Sequence, residues 1–119
     1  MLRRKFIFLA IAASFANLAW SQSSSGRPIK IIVPFAPGGG NDVIARQLAK
    51  DLSELRKQTV LVENKPGAGG NIAADAVAKA TDGHTFGLMI NGNMTIAKLL
   101  NPATPYDPIK DLAPISLLA

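Results

Sequence analysis

Arg27-Pro-Ile-Lys-Ile-Ile-Val-Pro-Phe-Ala-Pro-Gly-Gly-Gly-Asn-Asp42 is the stretch on which the fold turns. Ile29, Ile31, Ile32, Val33 and Phe35 form a short apolar run rich in β-branched residues, the composition of a buried parallel strand. Pro34 and then Pro37, Gly38, Gly39 and Gly40 stop it, and Asn41 stands where an N-cap side chain would open a helix. In that helix Ile44, Leu48, Leu52 and Leu55 recur at helical spacing, so this face is expected to pack while Arg46, Lys50, Asp51 and Glu54 stay in water.

The same unit then repeats. Val60, Leu61 and Val62 read as a strand, residues 66–70 as a second glycine-rich loop, and Asn71 as the cap of an alanine-rich helix ending near Ala80. Asp82 and Gly83 predict a turn before a third strand through Phe86, Leu88, Met89 and Ile90. Asn91, Gly92 and Asn93 lead into a short helix at 96–100, a proline-rich crossover covers 102–108, and 112–118 reads as a fourth strand. Strands alternating with helices at these distances imply right-handed crossovers and an α/β fold with a mainly parallel, doubly wound sheet. The sequence reads as interrupted in or just after its fourth strand, since an apolar parallel strand needs both faces covered.

Ahead of this unit, Arg3, Arg4 and Lys5 precede an apolar run that begins at Phe6, and the polar string from Gln22 to Gly26 follows. That is the layout of a cleaved secretory signal peptide, residues 1–21, too short to span a membrane and unlike a core helix, which rarely opens on three cations. Ala19 and Ser21 supply the small residues for a cut after Ser21, with Ala19 followed by Trp20 as a second candidate; the arginine pair leaves Sec and twin-arginine export both open. Three of the positive charges behind the formal +5 belong to this leader, and the remaining cations are scattered rather than striped, which argues against a nucleic-acid partner. With no cysteine there is no disulfide, thiolate metal site or lipid-modified N-terminus. Residues 22–119 suffice for one small domain.

In an open α/β sheet the ligand crevice lies beyond the carboxyl ends of the strands, and all three strand-to-helix loops here are built from Gly, Asn and Ala. Glycines let backbone N–H groups approach a ligand, and each helix start adds unpaired donors, so the rim suits an anion such as a carboxylate. A dinucleotide motif read from Gly38 fails, because Val43 stands where its last glycine belongs, and no P-loop lysine follows. No G-x-S-x-G elbow is present.

Three motifs carry a family resemblance: residues 27–42 quoted above, Val62-Glu-Asn-Lys-Pro-Gly-Ala-Gly-Gly-Asn71, and Pro105-Tyr-Asp-Pro-Ile-Lys-Asp-Leu-Ala-Pro-Ile-Ser116, with Asp82-Gly83 between them. Together they resemble the Bug-type proteins, periplasmic receptors of tripartite tricarboxylate transporters. The resemblance implies the first lobe of a type II periplasmic-binding-protein fold, incomplete because family members are more than twice as long and carry a second lobe. It also implies ligand-binding roles for Phe35, Ala36, Gly39 and Asp42 in the first loop, Ala68 and Gly69 in the second, and Asn91 and Asn93 in the third. Where the family more often has tyrosine this chain has His84, and Phe86-Gly87 replaces a more aliphatic pair.

The remaining residues carry plainer expectations. His84, the only histidine, reads as a surface or packing residue; Met89 and Met94 as core filler; Tyr106 as a staple for the crossover; and Asp107, Lys110 and Asp111 as a charged turn, with a contact surface for a membrane partner as its alternative. The reading is therefore a monomeric periplasmic receptor without cofactor or metal and without catalysis, which takes a di- or tricarboxylic acid to membrane permease subunits. Its alternatives are a nucleotide-dependent oxidoreductase fragment and a non-functional remnant of a truncated gene. A single lobe leaves one face of the ligand in water, so weak binding is expected of this chain alone.

Overall fold

The structure, a computed structural model, describes residues 26–118; the leader at 1–21 and its cleavage point lie outside them. Strands β1 (Ile29–Val33), β2 (Val60–Asn64) and β3 (Thr85–Gly87) form one sheet in the order β2-β1-β3. Both pairings are parallel: β1 runs beside β2 from Ile29↔Val60 to Val33↔Asn64, and beside β3 from Lys30↔Thr85 to Ile32↔Gly87. Helix α1 (Gly40–Arg56) joins β1 to β2, and α2 (Asn71–Ala78) joins β2 to β3 after a single 3-10 turn at Ala68–Gly70. Two short helices, α3 (Asn91–Met94) and α4 (Ala97–Leu100), follow β3. The chain is thus α/β with a parallel sheet, as the alternation of patterns predicts.

The strand period of two sorts the core. Ile31 and Val33 pack on Ala45 and Ala49 of α1, bordered by Leu48, Leu52, Val60, Val62 and Leu88. A separate cluster joins Ala74 of α2 to Ala97, Tyr106 and Leu112, with Met89 and Met94 filling its border. Asp82 organises the turn before β3, where its carboxylate accepts from the N–H groups of His84 and Thr85 and from the Thr85 hydroxyl.

Four expectations need correction. The buried stripe of α1 is Asp42, Ala45 and Ala49, not Ile44 to Leu55. Small side chains let the helix sit close to the sheet, which leaves Leu48 and Leu52 at its border, Ile44 42% exposed and Leu55 79% exposed. The helix caps are Gly39 and Gly70, neither with a side-chain cap bond, and Asn41 and Asn71 fall inside the first turns. Gly70 holds φ +94, a conformation that asparagine adopts less readily than glycine. The third strand ends at Gly87, with one further ladder bond from Leu88 N–H to the Ile32 carbonyl at 2.9 Å. Residues 112–118 are not a strand: they lie across a groove of about 1160 Å³ from β3 rather than pairing with its edge, and of their leucines and isoleucine only Leu112 is buried.

Candidate functional site

Parallel strands all end on the same rim, so the loops after β1, β2 and β3 meet there. Their meeting point is Gly70. A Cβ built on it would stand 2.6 Å from Asn93 Oδ1 and 3.0 Å from Pro34 Cβ, so this one glycine lets the second loop touch both the first and the third.

The first loop is held by charge. Asp42, 3% exposed, accepts at Oδ2 from the Gly38 N–H (2.9 Å) and from Arg46 Nε (2.9 Å), and at Oδ1 from Asn64 Nδ2 (2.9 Å). Asn64 Nδ2 also donates to the Phe35 carbonyl at 3.0 Å, so the end of β2 grips both ends of the loop. The Arg46 bond, then the Gly38 N–H, then Asn64 hold the Asp42 carboxyl well below the usual carboxylate range. Asp42 is therefore a buried strut with all its bonds inside the protein, rather than an acceptor facing a ligand.

The second loop is held by neutral groups. Asn93, 3% exposed, donates through Nδ2 to the Gly69 carbonyl (3.0 Å) and to Asn71 Oδ1 (2.8 Å). The Tyr106 hydroxyl, 2% exposed as a residue, stands 3.0 Å from Asn71 Oδ1 and 2.9 Å from the Asn93 carbonyl. Burial pushes the Tyr106 phenol up, which keeps its proton in place as a donor. Within the loop Ala68 (φ +48) and Gly69 (φ +63) both adopt left-handed backbone, an uncommon state for alanine.

These locks leave the donors free. Among the described residues, the N–H groups of Gly39, Gly40 and Asn41 on the first loop and of Ala68 and Gly69 on the second have no hydrogen-bond acceptor. Helix geometry points those of α1 out along its axis, where the partial positive charge of the helix start adds to them. The rim can accordingly take an anion by backbone alone.

Of the residues expected at the site, Phe35, Ala36, Gly39, Asp42, Ala68, Gly69 and Asn93 lie together on this rim, with Ala36, Gly39, Ala68 and Gly69 exposed. Gly39 has an ordinary φ of −77, so its value lies in close approach and not in an unusual backbone angle. Asn91 is set apart, lining the groove between β3 and residues 108–117. A second groove of about 410 Å³, between Arg46, Lys50 and Ser53 of α1 and residues 60–62 of β2, is likewise away from the glycine loops. His84 sits at the start of β3 with its ring Nδ1 2.8 Å from the Asp82 carbonyl. Sequence reasoning gave no site role to Asn64, Gly70, Asn71 or Tyr106. For Asn64 a signal existed: Val60 and Val62 face α1, and the strand period carries residue 64 to the same side.

Residues 44–119 match the family model described as "Tripartite tricarboxylate transporter family receptor". Over 114 residues, 94% of this chain and 35% of the relative, the sequence is 42% identical to protein BugT of Bordetella pertussis. A solved structure described as a periplasmic transporter superposes with a TM-score of 0.67 at 42% identity, covering 74% of this chain and 30% of that one. MatC of Rhodopseudomonas palustris, solved with bound malate, gives 0.65 at 40% identity over 71% of this chain and 29% of that one. A further R. palustris protein, solved with adipate, gives 0.66 at 38% identity over 73% and 29%. The chain spans about a third of the length of the relatives it matches.

Proposed function

The chain belongs to the tripartite tricarboxylate transporter receptor family, and from that premise we propose that it is an exported solute-binding receptor for a small organic carboxylate. The observation that carries this reading is the set of free N–H donors of Gly39, Gly40, Asn41, Ala68 and Gly69, held on one rim by loops that Asp42 and Asn93 tie down from inside. One carboxylate of the ligand sits across the two glycine loops and accepts from both. Malate and adipate, found in similar proteins, are the natural probes.

The signal peptide of residues 1–21 takes the receptor to the periplasm, and the loaded receptor delivers its ligand to the permease subunits of the transporter. The task is reversible capture rather than catalysis. Backbone donors suit it, since they discriminate by shape and charge and undergo no proton transfer. In residues 22–119 taken alone the rim is open to water and each contact there is screened, worth about 0.3–1 kcal/mol. Binding by this chain alone is consequently weak, because association costs several kcal/mol in lost freedom.

Calorimetric titration of the chain with malate, adipate and NAD tests the reading. Heat from the dicarboxylates that competes with each other, and none from NAD, is the expected result. Binding of NAD without the dicarboxylates would favour the nucleotide-dependent alternative.

A further inference from the structure

We propose that Asn71 contacts the bound carboxylate through its side-chain Nδ2, and that Tyr106, from the crossover after α4, positions it. The inference rests on the carboxylate-receptor reading above.

Asn71 opens α2 immediately after the second glycine loop, beside the free N–H groups of Ala68 and Gly69. Its Oδ1 is engaged on the protein side by Asn93 Nδ2 at 2.8 Å, with the Tyr106 hydroxyl at 3.0 Å. An amide whose oxygen is fixed has its nitrogen fixed as well, since the two are bonded to one planar carbon. Among the described residues Nδ2 has no acceptor, and it is not among their buried unpartnered side-chain atoms, so solvent reaches it. The result is a rigid pair of N–H donors at the rim with nothing to donate to.

The network behind it holds a strained arrangement in place. Both Nδ2 hydrogens of Asn93 are used, one on Gly69 O and one on Asn71 Oδ1. That turns Asn93 Oδ1 toward Gly70, where it is buried with no hydrogen-bond donor, a costly state for a polar atom. Flipping the Asn93 amide would set its oxygen against two other oxygens. The Tyr106 hydroxyl acts on the Asn71 amide instead: its one proton goes to Asn71 Oδ1 or to the Asn93 main-chain carbonyl, and on Oδ1 it adds to the Asn93 bond in keeping that oxygen inward. A residue 35 positions along the chain from Asn71 thus supports Asn93 in setting which end of the Asn71 amide faces the ligand.

The test uses the whole chain with malate as the probe, followed by NMR. The side-chain NH₂ pair of Asn71 is expected to shift along the same binding curve as the backbone amide of Gly69. Tyr106 is the only tyrosine, so 3-fluorotyrosine gives a single ¹⁹F signal that reports this residue alone; it is expected to move on the same curve. Asn71→Asp keeps the shape and the inward acceptor but replaces the donor by a negative charge, and should weaken malate at least tenfold. Tyr106→Phe should weaken it about threefold and broaden the Asn71 NH₂ pair. If Gly39 and Gly69 amides respond to malate while the Asn71 pair and the ¹⁹F signal stay still, the inference is wrong and the carboxylate site stands. If no resonance responds to malate, both fall together. Because the ¹⁹F and NH₂ measurements are made on the native sequence, the outcome does not depend on whether either variant folds.

Discussion

The two glycine loops do the same job with opposite chemistry. The first is tied down by an ionised carboxylate, Asp42, gripped by Arg46, Asn64 and a backbone N–H; the second by uncharged amides and a phenol, Asn93, Asn71 and Tyr106. The difference follows from what each loop must neutralise. Asp42 lies at the start of the long helix α1, where a negative charge is stabilised by the helix's own end. Its three protein partners also occupy its carboxylate from the inside. The second loop precedes a helix of eight residues and has its supports packed into an apolar cluster, where an unpaired charge would be costly. An anchor may carry charge only where partners surround it.

The largest effect that breaks this comparison is expected at Gly70. Gly70→Ala would force a Cβ against Asn93 Oδ1 and the buried Pro34 while holding φ +94, and should destabilise the fold by roughly 3 kcal/mol, read by urea unfolding. Gly39→Ala, at an ordinary φ with the nearest atom 3.7 Å away, should be nearly neutral in the same assay.

Asp42→Asn sharpens the contrast next. Its new NH₂ would face donors in either orientation, Asn64 Nδ2 on one side or the Gly38 N–H and Arg46 Nε on the other, so the first loop should loosen and malate affinity fall at least tenfold, about 1.4 kcal/mol, by calorimetry. The pH dependence has a definite sign. Because folding lowers the carboxyl's pKa, its stabilisation is complete above the unfolded value near 4 and is lost as pH falls below it toward the folded one. The stability gap between wild type and Asp42→Asn should therefore be constant from about pH 7 to 5 and shrink only in stronger acid.

Gly39→Val separates loop conformation from loop function. The backbone angle suits valine and the space is open, so thermal stability should hold within a degree or so, while the branched side chain stands where the ligand must approach and weakens malate by about tenfold. The smallest effect is that of pH on ligand alone. Malate affinity should decline below about pH 4 as the ligand's own carboxylates protonate, with the Gly38 amide resonance unmoved because Asp42 is still ionised there.

How much of this could be read beforehand differs between framework and supports. The parallel sheet, the two repeated units and a glycine-rich rim follow from local patterns of β-branched runs, glycine loops and helical spacing, whereas Phe35, Ala36, Gly39, Ala68 and Gly69 were singled out by the family resemblance. The face of α1 did not, because the leucine pattern competes with Ala45 and Ala49, whose small size allows close approach to the sheet. The fourth strand failed for a related reason: apolar residues at 112–118 have strand composition, but pairing is decided by a neighbour's edge and not by composition. Asn71 and Tyr106 were out of reach because their contact joins positions 35 apart, a tertiary fact that no spacing rule encodes.

Whether backbone donors of both glycine loops hold one carboxylate is decided by amide NMR of the uniformly labelled chain titrated with malate. The resonances of Gly39, Gly40, Asn41, Ala68 and Gly69 are expected to shift together on a single weak binding curve. A well-dispersed spectrum in which these five stay fixed, or in which the shifts fall instead on residues of the groove between β3 and 108–117, would contradict it.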